Sequence, residues 1–273
     1  MRVAYVHALG GASGDMLVAS LIDAGLKIKS LEKIVGLLGV RGVTFKESKS
    51  ERNGVSGTHL DVILDSEAEK PRRWQDFVSM VEASSLSSEV KNTASGIFAL
   101  IGEAESRVHG SDVEHVHLHE LGTLDTLVDV VGVIAGLEIM GVKNVFCSSL
   151  PTGSGTVRTA HGRVMVPAPA TETILAMTSA PSYAPPASLP STGEMLTPTG
   201  AAILGSIAEF EAPVMTIESV GYGLGTRNPD SYPNALSLTI GEIDEVKASE
   251  GLKLIETNLD DSTGEILLSL IHI

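Results

Sequence analysis

Arg2-Val-Ala-Tyr-Val-His-Ala8, followed by Gly10-Gly-Ala-Ser-Gly-Asp15 and then Met16-Leu-Val-Ala-Ser-Leu-Ile-Asp-Ala24, is the stretch that decides the fold. The first piece is a short apolar run of the kind that forms a buried strand. The second is a glycine-rich turn, and the third has helical periodicity closed by Gly25. Strand, glycine turn and helix in this order often cradle a phosphate, because glycines let backbone N–H groups approach a ligand. Neither the Walker spacing nor G-x-G-x-x-G is present, so this is no nucleotide fingerprint. Asp15 would also repel an anion unless a cation bridged the two. Two readings stay open: a tight turn with Ser13 capping the helix, or a ligand loop.

Working outward, Ser30 is expected to cap a second helix with Leu31, Ile34, Val35 and Leu38 on one face. Val43 to Ser48 and Val55 to Leu64 read as strands joined at Asn53-Gly54, and charged Asp65 to Arg73 as a loop. Leu86, Val90, Ala94, Ile97, Ile101, Ala104 and Val108 form the buried stripe of a long helix that ends at Gly110. Thr123 to Met140 is a second strong helix, with Leu124, Leu127, Val128, Val131, Ile134 and Ala135 facing the core. Asp125, Asp129, Gly132 and Gly136 share a neighbouring stripe, which points to close approach by a ligand or another backbone. From Val145 the texture changes to short strands and turns. Short helices follow at Val166-Pro-Ala-Pro-Ala170, running through Met177, and at Thr197-Pro-Thr-Gly200, where threonine caps and proline opens the first turn. Pro181 to Pro198 reads as a long irregular loop, able to act as a lid. Gly221-Tyr-Gly-Leu-Gly225 is expected between two strands, as a bulged hairpin or a substrate-facing backbone. The class predicted is α+β: a mixed sheet with several packed helices, a helical centre and a strand-rich C-terminal half. The expected organisation is a domain over 1–250 and the start of a further, truncated one over 251–273.

The chemistry concentrates at His115-Val-His117-Leu-His119-Glu120. In an extended segment His115, His117 and His119 would share one face. Imidazole is the commonest ligand for zinc, nickel, copper and iron, so three on one face outline a metal site. Asp125 and Asp129 follow at i, i+4 on the next helix. The plain alternative is a solvated strand edge leading into a helix whose aspartates sit near its positive end. His161, in a predicted hairpin, is open to a structural or a functional role.

At 273 residues, 43% of them hydrophobic, the chain has ample core for one large or two modest domains. No apolar run is long enough to span a bilayer and the start lacks a signal-peptide layout. A lone cysteine, Cys147, excludes an internal disulfide, fits a reducing cytoplasm, and leaves any metal to nitrogen and oxygen ligands. The formal charge of −15 argues against nucleic-acid binding and is compatible with cations. No serine sits in a nucleophile elbow and Cys147 has no evident base beside it, so covalent catalysis is unsupported. Metal-dependent hydrolysis of a phosphorylated small molecule, metal capture and transfer, and a non-enzymatic docking role all fit this inventory.

Several segments together resemble the LarC family of nickel-insertion proteins. They are Gly11-Ala-Ser-Gly-Asp-Met16, Val116-His-Leu-His-Glu-Leu-Gly122, Asp125-x-x-x-Asp129, Cys147-Ser-Ser-Leu-Pro151 and Ala160-His-Gly162. Val166-Pro-Ala-Pro-Ala-Thr171, Thr197-Pro-Thr-Gly-Ala-Ala202, Gly221-Tyr-Gly223 and Glu256-Thr-Asn-Leu-Asp-Asp261 complete the set, in the family's order from end to end. The resemblance implies a cytoplasmic nickel chelatase of the lyase class, completing the nickel-pincer cofactor of lactate racemase. It would insert nickel into pyridinium-3,5-bisthiocarboxylic acid mononucleotide with CTP and a divalent Mg or Mn ion. In the family the nucleotide work belongs largely to a C-terminal domain, so this chain resembles the N-terminal part. Lactate racemase apoprotein or a C-terminal partner domain are the implied protein partners. On this reading His117, His119 and Glu120 are the first metal ligands, with His115, Asp125 and Asp129 next. Ser13, Gly14, Asp15 and His161 meet the substrate, the first three through a cation bridging to its phosphate. Two departures stand out: Ser66 to Arg73 replaces a histidine-rich stretch, and His7-Ala8 stands where the family usually has aspartate and a small residue.

Overall fold

In the computed structural model, β1 (Arg2–His7) sends Ala4 and Val6 into the core, so the first apolar run is indeed a buried strand. The structure describes residues 1–114, 116, 118, 121–159, 162–186 and 191–243. After β1 come α1 (Gly14–Asp23), α2 (Ile28–Leu38), β2 (Val43–Arg52), β3 (Val55–Leu64), α3 (Trp74–Ala83), α4 (Ser88–His109) and α5 (Leu124–Ile139). The second half supplies β4 (Asn144–Cys147), β5 (Leu150–Pro151), β6 (Gly153–Ser154), β7 (Thr156–Thr159), β8 (Gly162–Met165) and α6 (Pro169–Thr178). It closes with β9 (Ser182–Tyr183), β10 (Gly193–Glu194), α7 (Pro198–Ile207), β11 (Ala208–Glu209), β12 (Thr216–Leu224) and β13 (Ala235–Glu242). The class is α+β, as expected.

Seven strands form one mixed sheet in the order β11-β4-β1-β13-β12-β3-β2. β1 runs parallel to β4 and antiparallel to β13, so the first and last long strands of the described region lie side by side at its centre. Alternate residues Ala4, Val6, Leu236, Leu238 and Ile240 join one hydrophobic cluster with the helices. Helices α1, α2, α5 and α7 contact the strands, while α4 packs on α3, α5, α6 and α7. Its buried residues include Val90, Ala94, Ile97, Ile101 and Ala104, and Gly110 ends it in the left-handed region, both as the spacing predicts. No helix among the described residues is long and apolar enough to cross a membrane.

The glycines on α5 and β12 set how closely α1 is held. A Cβ on Gly132 would lie 3.3 Å from Val18 Cγ2 of α1 and 3.0 Å from Leu31 Cδ1 of α2, and one on Gly136 3.0 Å from Leu21 Cδ1 of α1. The two glycines of the Asp-Asp-Gly-Gly stripe are therefore packed, against side chains rather than another backbone. On the other side of α1, a Cβ on Gly221 would stand 2.2 Å from the Ser20 carbonyl oxygen, and one on Gly223 1.8 Å from that of Met16. Gly221 and Gly223 are thus neither a hairpin turn nor a substrate-facing backbone. They lie within β12, bare so that a helix backbone can rest on the strand. Asp23 ends α1 and ties it to the sheet, accepting from Lys49 Nζ, from Thr58 Oγ1 at 2.7 Å and from the Tyr222 N–H at 2.8 Å. Burial acts to raise this carboxyl, and those three donors outweigh it, leaving Asp23 below the usual carboxylate range.

Other expectations needed correction. α2 starts at Ile28 with Lys27 at its N-cap, so Ser30 sits inside the first turn. Helix α3 escaped the sequence reading, because only Phe77 and Val81 are buried and its apolar stripe is short. Part of the Pro181–Pro198 stretch is ordered by pairing: β9 joins β5, and β10 joins β6. The start of a further domain expected over 251–273 lies outside the described residues.

Candidate metal and substrate site

The first turns of α1 and α5 are pressed together. A Cβ on Gly14 would meet both Cβ and Oδ2 of Asp129 at 2.5 Å, so only glycine admits that carboxylate. The Asp15 N–H donates to Asp129, while Asp129 Oδ1 is buried with no partner among the described residues. Burial, reinforced by the nearby charges of Asp15 and Asp125, pushes the Asp129 carboxyl well above the usual carboxylate range.

Both helices use their N-cap hydroxyl in the same unusual way. Ser13 Oγ donates to Asp15 Oδ1, and Thr123 Oγ1 donates to Asp125 Oδ1. Neither hydroxyl caps its own helix. Ser13 therefore holds the N-cap position that the sequence predicts, yet serves to orient a carboxylate. Helix α6, opened by Pro169 after Ala168, also lacks a side-chain cap. Only α7 is capped as expected, Thr197 Oγ1 accepting from the Gly200 N–H at 3.1 Å.

All four of these N-terminal turns line a single cavity of about 500 Å³. Ser13, Gly14 and Asp15 come from α1, Asp125, Thr126 and Asp129 from α5, Ala168 to Ala170 from α6, and Thr197 to Thr199 from α7. The last turn of α4 adds Glu105, Val108 and His109, with His109 Nε2 at 3.2 Å from Glu105 Oε2. The β7–β8 hairpin and Glu194 complete the wall. Helix N-termini carry partial positive charge and suit an anion. Asp15, Glu105, Asp125, Asp129 and Glu194 are also present, and no Lys or Arg is among the described lining residues. This combination suits an anion that arrives paired with a divalent cation. Among the described residues, no group of three His, Cys, Asp or Glu side chains is placed to hold a metal by itself.

Of the residues singled out from sequence, the fold thus brings Ser13, Gly14, Asp15, Asp125 and Asp129 into one wall. His115, His117, His119, Glu120 and His161 lie outside the described residues. Between them Val116 and Leu118 are buried, and Leu121 reaches the cavity. Sequence reasoning missed Glu105 and His109, taking their helix for scaffold. The available signal was their i, i+4 spacing beside the apolar stripe in the helix's last turns. Glu194 gave no signal. Cys147 is buried in β4, and burial pushes its thiol up to about 12, so it is no nucleophile at neutral pH.

A sequence model of the family described as nickel insertion protein matches residues 4–272 of the chain. Relatives named for nickel insertion share its sequence over nearly its full extent. The one from Thermomicrobium roseum is 42% identical over 274 residues, covering 99% of this chain and 66% of the relative. That of Roseiflexus castenholzii is 42% identical over 267 residues, covering 97% and 66%. That of Citrifermentans bemidjiense is 42% identical over 269 residues, covering 97% and 68%. The chain thus spans about two thirds of the length of these curated relatives. No solved structure matches it.

Proposed function

The chain belongs to the nickel insertion protein family, and from that premise we propose that it inserts nickel into pyridinium-3,5-bisthiocarboxylic acid mononucleotide, forming the nickel-pincer cofactor of lactate racemase. One observation carries the choice of site. Four helix N-termini converge with acidic side chains on a 500 Å³ cavity that has no Lys or Arg in its described wall. A mononucleotide phosphate suits the helix ends, and a divalent cation at Asp15 relieves its repulsion from the carboxylates.

Nickel is the cargo. His117, His119 and Glu120 are its proposed first ligands, with His115, Asp125 and Asp129 next. Imidazole and carboxylate hold nickel adequately, while the softer thiocarboxylate sulfurs of the substrate draw it away, which gives transfer its direction. A resident Mg or Mn ion fits the donor chemistry of Asp129, whose buried Oδ1 lacks a partner among the described residues. A triphosphate fits less well, since the described wall offers neither Lys nor Arg to its charge.

The test incubates the chain with the precursor, Ni²⁺, CTP and Mg²⁺, then follows nickel-bound product by mass spectrometry and activation of lactate racemase apoprotein. Product is expected, and loss of stoichiometric nickel binding when His117 and His119 are both changed to alanine. Binding unchanged in that double variant overturns the ligand assignment, and absence of product overturns the function.

A further inference from the structure

Four of the described helices begin behind a serine or threonine, and those residues behave in two ways. Ser87 before α4 and Thr197 before α7 cap their helices, accepting from the Val90 N–H at 3.2 Å and the Gly200 N–H at 3.1 Å. An acidic residue, Glu89, stands two positions after Ser87 and does not disturb the cap. Ser13 before α1 and Thr123 before α5 give up the cap and donate to the aspartate two positions on. Only in these two helices does that aspartate line the cavity.

The arrangement fixes how Asp125 can bind. Its Oδ1 accepts from Thr123 Oγ1 and, at 2.9 Å, from the Thr126 N–H, which engages both lone pairs of that oxygen. Its Oδ2 takes no hydrogen bond from the described residues, so the side chain offers a ligand one oxygen. Asp15 has the matching bond from Ser13 on its own Oδ1. Both carboxylates lie near enough to Asp129 for their charges to act on it, which places the three in one corner of the cavity.

This inference rests on the divalent cation placed in the cavity above. Mg²⁺ and Mn²⁺ are small and octahedral, bound through one or two carboxylates with water and substrate phosphate in the remaining positions. That compact shell suits single oxygens better than the narrow bite of a chelating carboxylate. Ca²⁺ is larger, takes about six to eight oxygens and often holds a carboxylate by both. We propose that Thr123 is a positioning residue that keeps Asp125 a one-oxygen ligand and so sets the cavity's preference for Mg²⁺ or Mn²⁺ over Ca²⁺. Without its hydroxyl, Oδ1 is released and the carboxylate is free to turn both oxygens to a larger ion.

The experiment titrates the metal-stripped full chain with Mn²⁺ and, separately, with Ca²⁺, by calorimetry and by loss of the free-Mn²⁺ paramagnetic resonance signal. Wild type is expected to bind Mn²⁺ at least about tenfold more tightly than Ca²⁺. Thr123→Val keeps the side chain's shape and loses the hydroxyl. It is expected to weaken Mn²⁺ by about 10–100-fold while Ca²⁺ stays within about threefold, so that the preference collapses. Thr123→Ser is expected to bring Mn²⁺ affinity back to within about threefold of wild type. Thr123→Ala serves as a second deletion, and a cooperative melt in EDTA shows that each variant is folded. Mn²⁺ bound by both deletion variants as tightly as by wild type overturns this proposal alone. So does equal weakening of the two cations, the mark of a purely structural role. A wild-type chain with no affinity for Mn²⁺ overturns it together with the cation reading.

Discussion

Asp129 concentrates the site's electrostatics in one side chain. Its carboxyl is raised by burial and by two neighbouring carboxylates, so the folded state favours the protonated form more than the unfolded chain does. The stability this confers is complete below the ordinary aspartate range and is lost as pH rises towards the folded value. Asp129→Asn escapes that loss, because its amide oxygen can still accept from the Asp15 N–H while carrying no charge. Thermal melts in EDTA should therefore show variant and wild type alike near pH 3. The variant should gain as pH rises to 7, by about 2–4 °C for each kcal/mol relieved. A variant less stable at pH 7 than at pH 3, relative to wild type, would contradict this. Gly14 makes the complementary case. Alanine improves helix propensity by about 1 kcal/mol, yet here its Cβ would collide with Asp129 at 2.5 Å. Gly14→Ala should weaken nickel-dependent activity by at least about tenfold through the displaced carboxylate, and titration of metal and product formation together would check it. The importance of Gly14 was visible in the sequence as part of a turn. That its neighbour is Asp129 was not, since 115 residues separate the two.

The elements owe their existence to local pattern and their placement to small residues. Periodicity located β1, α1, α2, the β2–β3 hairpin, α4, α5 and α7, because each has a stripe of one period and a recognisable end. Asn53 and Gly54 both adopt positive φ, as a two-residue hairpin turn demands. It failed for α3, whose stripe is too short to register, and for Gly221 and Gly223, where the turn chemistry of glycine masked a packing role. Gly223→Ala places a methyl group 1.8 Å from the Met16 carbonyl oxygen. It should push α1 off β12 and cost about 3 kcal/mol, measured by denaturant unfolding. It should also blunt the site, because the N-terminus of that helix carries Ser13 and Asp15 into the cavity. Loss of stability without loss of nickel handling would separate the scaffold from the site.

At the scale of the whole molecule, the described chain is one core wrapped on a central sheet, with the cavity where four helices begin. A metal that binds only the folded protein stabilises it by about 2.7 kcal/mol when present at a hundred times its dissociation constant. Nickel should thus raise Tm by about 5–10 °C for a domain of this size, and Asp129→Asn should forfeit much of that shift. An equal shift in both proteins would remove Asp129 from the metal's surroundings. The sequence by itself determined the class of fold, most helices and strands, the acidic character and the identity of the carboxylates at Asp15, Asp125 and Asp129. These depend on local periodicity, capping residues and residue chemistry, which survive in one dimension. Only the tertiary structure decided that α1 is held between two rows of glycines, that four helix N-termini share one cavity, and that Glu105 and His109 join its wall. Those facts depend on contacts between residues far apart in the chain, which come together only when the core closes.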